Sequence, residues 1–461
     1  MNAAHDLSAV HLIQPLHRLY RRARPRMRPT VLAFQEGLQF RTQANAWNEE
    51  RKVNWILQTL REAVRRASRE TFFYRDHFVK AGFDPEADFT FEDFGRLPIV
   101  DRDDIRLAGD RMYGRTVAPR QIAKDSTGGS TGVPTHIRTG PRERGWRESG
   151  MEHFMRRIGL PAGSRTVFLW GHHLDPLQRD SVRERFQDWM LNARTYDCLR
   201  LSPDTLDEYH RQLDRLRPKC IIAYASALAA LAQHLQTRGI VPRYPTGRLV
   251  TGAEKLLPHQ RAVVEEVFRC PVHERYGGRD VSVVAFQMKV PTELDFETDW
   301  SLLLLEPETT EELSSVLVTK LQADVMPMIR YRVGDVARFP AGSAPGTPAF
   351  RLLSVIGREA DRVWLPDGRW MHGLSFPHLM KDHPVREFQI HQRADYSVTL
   401  RILPAASYTE ESGRGILQIV RANLPQLPVE LQLVDDIPRT AANKTRPVIS
   451  DVTAPREGPH P

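Results

Sequence analysis

An α/β protein is what the sequence predicts, with a large multi-layer α/β amino-terminal domain and a small α+β carboxy-terminal one. Three observations carry this. After Ser126 short β-branched or apolar runs alternate with helical stretches, the pattern of a buried sheet wrapped by helices. From Ala341 to Pro348 the chain is rich in Gly, Pro, Ser and Ala and reads as a loop. Beyond about Gly357 a different set of short strands follows, with one helix among them. The boundary is drawn there, giving domains 1–356 and 357–461, the second of ordinary domain size.

The elements follow in order. Residues 1–30 hold Arg18, Arg21, Arg22, Arg24, Arg26 and Arg28, and Pro25 and Pro29 argue against a helix there. A solvated arm is favoured over a nucleic-acid or membrane-surface arm. Between Asn48 and Ala81, Trp55, Ile56, Leu60, Ala63 and Val64 recur at the spacing of one apolar helix face. Strands are expected at Thr166–Trp170, Lys219–Tyr224 and Arg248–Thr251, and helices at Ser226–Arg238 and Pro258–Phe268. Ser301–Leu305 and Ser315–Thr319 read as an antiparallel pair. In the second domain Phe388–Gln392 and Ser397–Ile402 read as strands and Thr409–Asn423 as a helix. There is no internal repeat.

Composition narrows the class. Of 461 residues 41% are hydrophobic and 26% charged, which excludes a mostly disordered chain. The longest apolar run, Cys220 to Ala232, is too short to span a bilayer and is interrupted by Ser226. No basic segment precedes an apolar one at the amino terminus, so no secretory signal is expected. Cys198, Cys220 and Cys270 form no CxxC pair, and a reducing, cytoplasmic compartment is the expectation. The net charge of +8 comes from 65 basic residues, of which only nine are lysines.

The strongest chemical signal is Ser126-Thr127-Gly128-Gly129-Ser130-Thr131-Gly132, followed by Val133-Pro134. Glycines let backbone N–H groups approach an anion and hydroxyls add donors, so the run suits phosphate oxygens. It lacks the GK[ST] ending of a Walker loop. Weaker signals follow. In Glu274-Arg275-Tyr276-Gly277-Gly278-Arg279-Asp280 an aromatic ring can cover a purine and a carboxylate can hold Mg²⁺, although a tight turn explains it equally well. Asp335, after Tyr331-Arg332-Val333-Gly334, can grip hydroxyls or simply occupy a turn. Gly357-Arg358 lies at the boundary, and Lys444 follows Ala441-Ala442-Asn443 near the end.

In this order the motifs resemble the adenylate-forming ligases, which include acyl-CoA synthetases, over about residues 60 to 450. The likeness is strongest to the phenylacetate–CoA ligase branch and the capsular-polysaccharide-biosynthesis-type proteins. Phe73-Tyr74-Arg75, Leu97-Pro98-Ile99, Tyr224-Ala225-Ser226, Gly252-Ala253-Glu254 and Pro327-Met328-Ile329-Arg330-Tyr331 carry it further. The resemblance implies ATP and Mg²⁺ as reactants, a mobile carboxy-terminal domain, and coenzyme A as acceptor. By motif match, Ser126 to Gly132 would cradle phosphates. Ala253, Glu254, Tyr276 and Gly277 would flank the adenine. Asp335 would bind the ribose, Arg358 would reach the nucleotide, Asp280 would hold the metal, and Lys444 would be the mobile catalytic lysine. Trp170, Tyr224 and Gly252, with His172 and His173, are candidates for the substrate wall; core aromatics and surface histidines are the equal alternative.

Three positions depart from the family pattern: Asp280 replaces the usual Glu, Ala360 stands at the hinge beside Asp361, and Asn443 replaces the Gly before Lys444. Gln287 and Pro291–Asp299 offer no Cys or His, so no structural zinc is expected. The leading expectation is an ATP-dependent carboxylate–CoA ligase that releases pyrophosphate and AMP. Passage of the acyl group to an amine, a hydroxyl or a carrier protein is the first alternative, and an inactive relative acting as a binding module the second. No nucleic-acid partner is expected.

Overall fold

The computed structural model describes residues 28–126, 135–170, 192–198, 201–358, 362–366, 370–372, 375–380, 383–405, 407–438 and 448–452. Two compact units emerge, one of Met1–Val333 with Ala337–Val355, the other of Gly334–Val336 with Ile356–Pro461.

The first unit opens on a helix that the sequence reading does not anticipate, α1 (Arg28–Ala44). Pro29 stands in its first turn, where a missing N–H costs nothing, so it starts the helix rather than breaking it. The expected helical segment from Asn48 to Ala81 divides into α2 (Glu49–Glu70) and α3 (Phe72–Lys80). Thr71 makes the break: its extended backbone ends α2, and its hydroxyl accepts the Tyr74 N–H to start α3. Asn48 caps α2, whose inward face is Ile56, Leu60, Ala63, Val64 and Ala67. Short helices α4 (Phe91–Gly95) and α5 (Arg102–Ala108) precede a hairpin of β1 (Ala123–Ser126) and β2 (His136–Thr139). Helix α6 (Pro141–Arg157) follows.

The main sheet is then laid down: β3 (Thr166–Trp170), β4 (Ala193–Asp197), α7 (Pro203–Leu216), β5 (Cys220–Tyr224), α8 (Ala225–Thr237), β6 (Arg248–Gly252), α9 (Pro258–Phe268), β7 (Val272–Gly278), β8 (Ser282–Gln287) and β9 (Phe296–Thr298). Next come β10 (Leu303–Pro307), β11 (Leu313–Lys320), β12 (Tyr331–Arg338), β13 (Arg351–Leu352) and β14 (Ser354–Arg358). The eight-stranded sheet runs β13-β9-β8-β7-β6-β5-β3-β4, parallel from β4 to β7 and antiparallel from β7 to β13. A second sheet has the order β10-β11-β12-β14, and β10 and β11 form the expected antiparallel pair.

Alternate residues of the parallel strands point to opposite faces. Val167, Leu169, Ile221, Ala223 and Leu249 join α7, α8 and α9 in one core. Cys220, Ile222, Val250 and Phe286 meet Phe154 of α6 and Ile158 just beyond it on the other. Helices thus cover both faces, as a parallel sheet requires. Helix α1 packs along α6, where Arg41 forks onto Asp299 (Nη2 to Oδ2, 2.8 Å) and donates to Ser149 Oγ at 2.8 Å.

The second unit holds a hairpin of β15 (Arg362–Trp364) and β16 (Trp370–His372), then α10 (Ser375–Met380), β17 (Val385–Gln392), β18 (Val398–Pro404), α11 (Glu410–Asn423), β19 (Val429–Leu433) and β20 (Val448–Ser450). Its sheet order is β19-β18-β17-β20. Thr409 and Ser412 form a reciprocal cap on α11, whose Ile416 and Val420 pack on Ile390, Leu400 and Ile402.

Among the described residues no helix is long and apolar enough to cross a membrane. The three cysteines are buried and unpaired with one another, and burial pushes the Cys220 thiol up to about 12.

Candidate active site

In sheets of this kind, ligands bind at the carboxyl ends of the parallel strands. There the register assembles a row. Leu169 of β3 pairs with Ala223 of β5, so Trp170 and Tyr224 lie one step further along. Tyr224 pairs with Gly252 of β6, and Thr251 pairs with Glu274, which sets Gly252 beside Arg275 of β7. Arg275 pairs in turn with Phe286. Trp170, Tyr224, Gly252 and Arg275 therefore share one face.

The contacts agree with that register. The Trp170 and Tyr224 rings meet edge to face at 4.5 Å, and the Arg275 guanidinium carbon lies 4.8 Å from the Trp170 ring centre. A Cβ on Gly252 would fall 2.8 Å from Arg275 Nε, so the glycine leaves the space that the arginine crosses. Burial above all, then Cys198 and Glu254, pushes the Tyr224 hydroxyl up to about 12. Burial lowers Arg275 to about 10, against the opposing influence of Cys220 and Tyr224. The sequence reading names Trp170, Tyr224 and Gly252 as substrate wall and misses Arg275. The signal for it is a charged residue in strand register with Gly252, visible only once the strand order is known.

The turn after β6 is fixed by carboxylates. Ala253 takes a left-handed conformation with φ 67°. Glu254 Oε2 accepts the Ser226 N–H at 3.0 Å, which places its charge at the start of α8. Glu274 accepts the Leu256 N–H at 3.1 Å and pairs with Arg261 at 2.9 Å. Tyr276 is buried, and Gly277 lies so close to the Ser282 carbonyl that no side chain fits. Arg279 reaches Asp125 of β1 at 3.6 Å. That contact ties the Tyr-Gly turn to the stem of the hairpin bearing the Ser/Gly run.

Asp280, expected to hold the metal, is engaged within the protein. It is 4% exposed. Its Oδ2 accepts the Tyr331 hydroxyl at 3.0 Å and lies 3.8 Å from Arg102, while Oδ1 accepts the Val281 N–H at 3.2 Å. Tyr331 and Arg102 thus share the Asp280 carboxylate. Among the described residues no group of three or more His, Cys, Asp or Glu converges as a metal site.

Asp335 lies buried in β12 after Gly334, and Arg358 ends β14. Ser126 ends β1, paired with His136. Thr127, Gly128, Gly129, Ser130, Thr131, Gly132, His172, His173, Ala360 and Lys444 lie outside the described residues.

No protein-family model matches the chain. It is 23% identical over 322 residues to a phenylacetate–coenzyme A ligase of Pseudomonas putida, covering 67% of this chain and 70% of that one. A 2-hydroxyisobutyryl-CoA ligase in its postadenylation state with 2-HIB-AMP superposes with a TM-score of 0.68 at 20% identity, over 88% of this chain and 90% of that one. An amide bond synthetase of Marinactinospora thermotolerans superposes with a TM-score of 0.51 at 16% identity, over 72% of this chain and 68% of that one. In fold, in motif order and in sequence the chain is similar to these CoA ligases, which resemble it along most of its length.

Proposed function

We propose that the protein is an ATP-dependent carboxylate–CoA ligase. The observation that carries this is the row Trp170, Tyr224, Gly252 and Arg275 at the carboxyl ends of the parallel strands. It stands next to a Tyr-Gly turn tied to the stem of the Ser/Gly run. One oxygen of the carboxylate attacks the α-phosphorus of ATP, the bond to pyrophosphate breaks, and a mixed anhydride forms. The thiol of coenzyme A then attacks the acyl carbon, AMP leaves, and the thiol proton passes to solvent.

Ser126 to Gly132 are assigned the phosphates, Ala253, Glu254, Tyr276 and Gly277 the adenine, Asp335 the ribose and Arg358 the nucleotide. Lys444 supplies the cation that offsets charge building on the α-phosphate. Magnesium enters as the counter-ion of ATP, with no step assigned to Asp280. No disulfide joins Cys198, Cys220 and Cys270, which suits a reducing cytoplasm. Coenzyme A is the proposed acceptor because the curated relative is a CoA ligase. An amine acceptor is the second reading, since an amide bond synthetase has this fold.

The test is pyrophosphate release across a panel of carboxylates, with and without coenzyme A, and mass detection of the thioester. Acid-dependent release with thioester formation is expected. Release without thioester moves the acceptor to an amine, a hydroxyl or a carrier. No release with any acid overturns the ligase reading.

A further inference from the structure

We infer that the acid activated here carries a second anionic group and that Arg275 binds it, an inference that rests on the ligase function proposed above. Arg275 is partly buried in the row of strand ends, and among the described residues its guanidinium makes no hydrogen bond and no ion pair. Its one close partner is the face of Trp170, 4.8 Å away. The carboxylates flanking it in sequence and space are committed elsewhere: Glu274 to Arg261 and the Leu256 N–H, Glu254 to the Ser226 N–H. Cys220 and Tyr224, which also face it, stay neutral because burial raises both.

A cation drawn out of water without an anion is costly, and the cost is relieved when a ligand brings the anion. Arginine's planar fork fits a carboxylate through two parallel N–H···O bonds. The reacting carboxylate is a poor long-term partner, since it loses its charge on becoming the mixed anhydride. A second carboxylate keeps its charge in the acid, the adenylate and the thioester alike. Trp170 and Tyr224 supply apolar surface for the carbon skeleton between the two groups. Gly252 is part of the same device, because any side chain there would meet the arginine. The substrate class is thus a dicarboxylic acid, aromatic or short-chain.

The experiment compares matched pairs: butyrate with succinate, valerate with glutarate, and benzoate with terephthalate. Wild type, Arg275→Leu and Arg275→Lys are assayed by pyrophosphate release, and binding of the same acids is read in parallel by calorimetry. In wild type at least one dicarboxylate is expected to exceed its monocarboxylate partner by about 100-fold in kcat/KM. Arg275→Leu collapses that ratio, lowering kcat/KM for the dicarboxylate far more than for the monocarboxylate. Arg275→Lys restores part of the ratio, as a point charge without the fork.

Equal loss for both members of a pair, a raised ATP KM, or a wild type that prefers monocarboxylates overturns the inference. If no acid releases pyrophosphate, the ligase reading falls and binding decides the rest. A dicarboxylate held about tenfold more tightly by wild type than by Arg275→Leu keeps Arg275 as an anion site. Equal binding, or none, removes it.

Discussion

Arg41 and Arg275 are both drawn away from water, and the protein treats them in opposite ways. Arg41 is 4% exposed. Its Nη2 meets Asp299 at 2.8 Å, its Nη1 reaches Ser149 Oγ at 2.8 Å and the Gly37 carbonyl at 3.2 Å, and its plane lies over Trp146. Among the described residues Arg275 has the aromatic face and none of the acceptors. Arg330 sides with Arg41: buried, it pairs with Glu306 at 3.2 Å and also meets the Gly95 and Leu97 carbonyls. A saturated arginine clamps helices and strands together. An unsaturated one at the ends of parallel strands is directed at a ligand.

The contrast is broken most severely by removing an anion from the saturated site. Asp299→Ala leaves Arg41 charged, buried and unpaired, which costs about 3–5 kcal/mol in urea unfolding. Arg275→Leu removes a charge that has no ion-pair partner among the described residues, so the same measurement should show no loss of stability. A loss there comparable to that of Asp299→Ala would make Arg275 a structural arginine.

The next effect is on pH. His153 of α6 is buried near Arg41, and burial first, then Arg157 and Arg41, lower it to about 4, with Asp299 and Glu297 opposing. Between that value and the ordinary value of 6.5 the unfolded chain binds the extra proton. Stability contributed by neutral His153 is therefore present above pH 6.5 and lost as pH falls toward 4. The loss across that window is on the order of 1–3 kcal/mol. His153→Gln should flatten the stability profile across that window, and an unchanged profile would clear His153 of the role.

The smallest effect belongs to the unsaturated site. Gly252→Ala places a methyl against Arg275 Nε, 2.8 Å away. An overpacking cost of about 1 kcal/mol corresponds to roughly fivefold in KM for the acid, with ATP KM unchanged. A shift in ATP KM instead would assign Gly252 to the nucleotide.

Local pattern made much of this legible. Helix α9 matches its expected range residue for residue, since Pro258 at the start and the apolar Val264, Val267 and Phe268 leave little choice. The parallel strands β3, β5 and β6 fall where β-branched runs place them. Helix α1 is missed because Arg41 looks like one more solvated charge, and its partner Asp299 stands 258 residues away. The contacts of Asp280 are not legible locally either, since Tyr331, which donates to it, stands 51 residues on. Arg275 lies inside a quoted motif, yet its meaning depends on strand order and on the absence of a nearby acceptor. No local spacing encodes either.

In the proposed reaction a carboxylate attacks ATP before any acceptor is involved. Exchange of labelled pyrophosphate into ATP, with acid present and coenzyme A absent, measures that step directly in wild type and in Lys444→Ala. Exchange is expected to require the acid and to fall about 100- to 1000-fold in the variant. Exchange that is absent with every acid, or that proceeds undiminished without Lys444, would contradict that reaction.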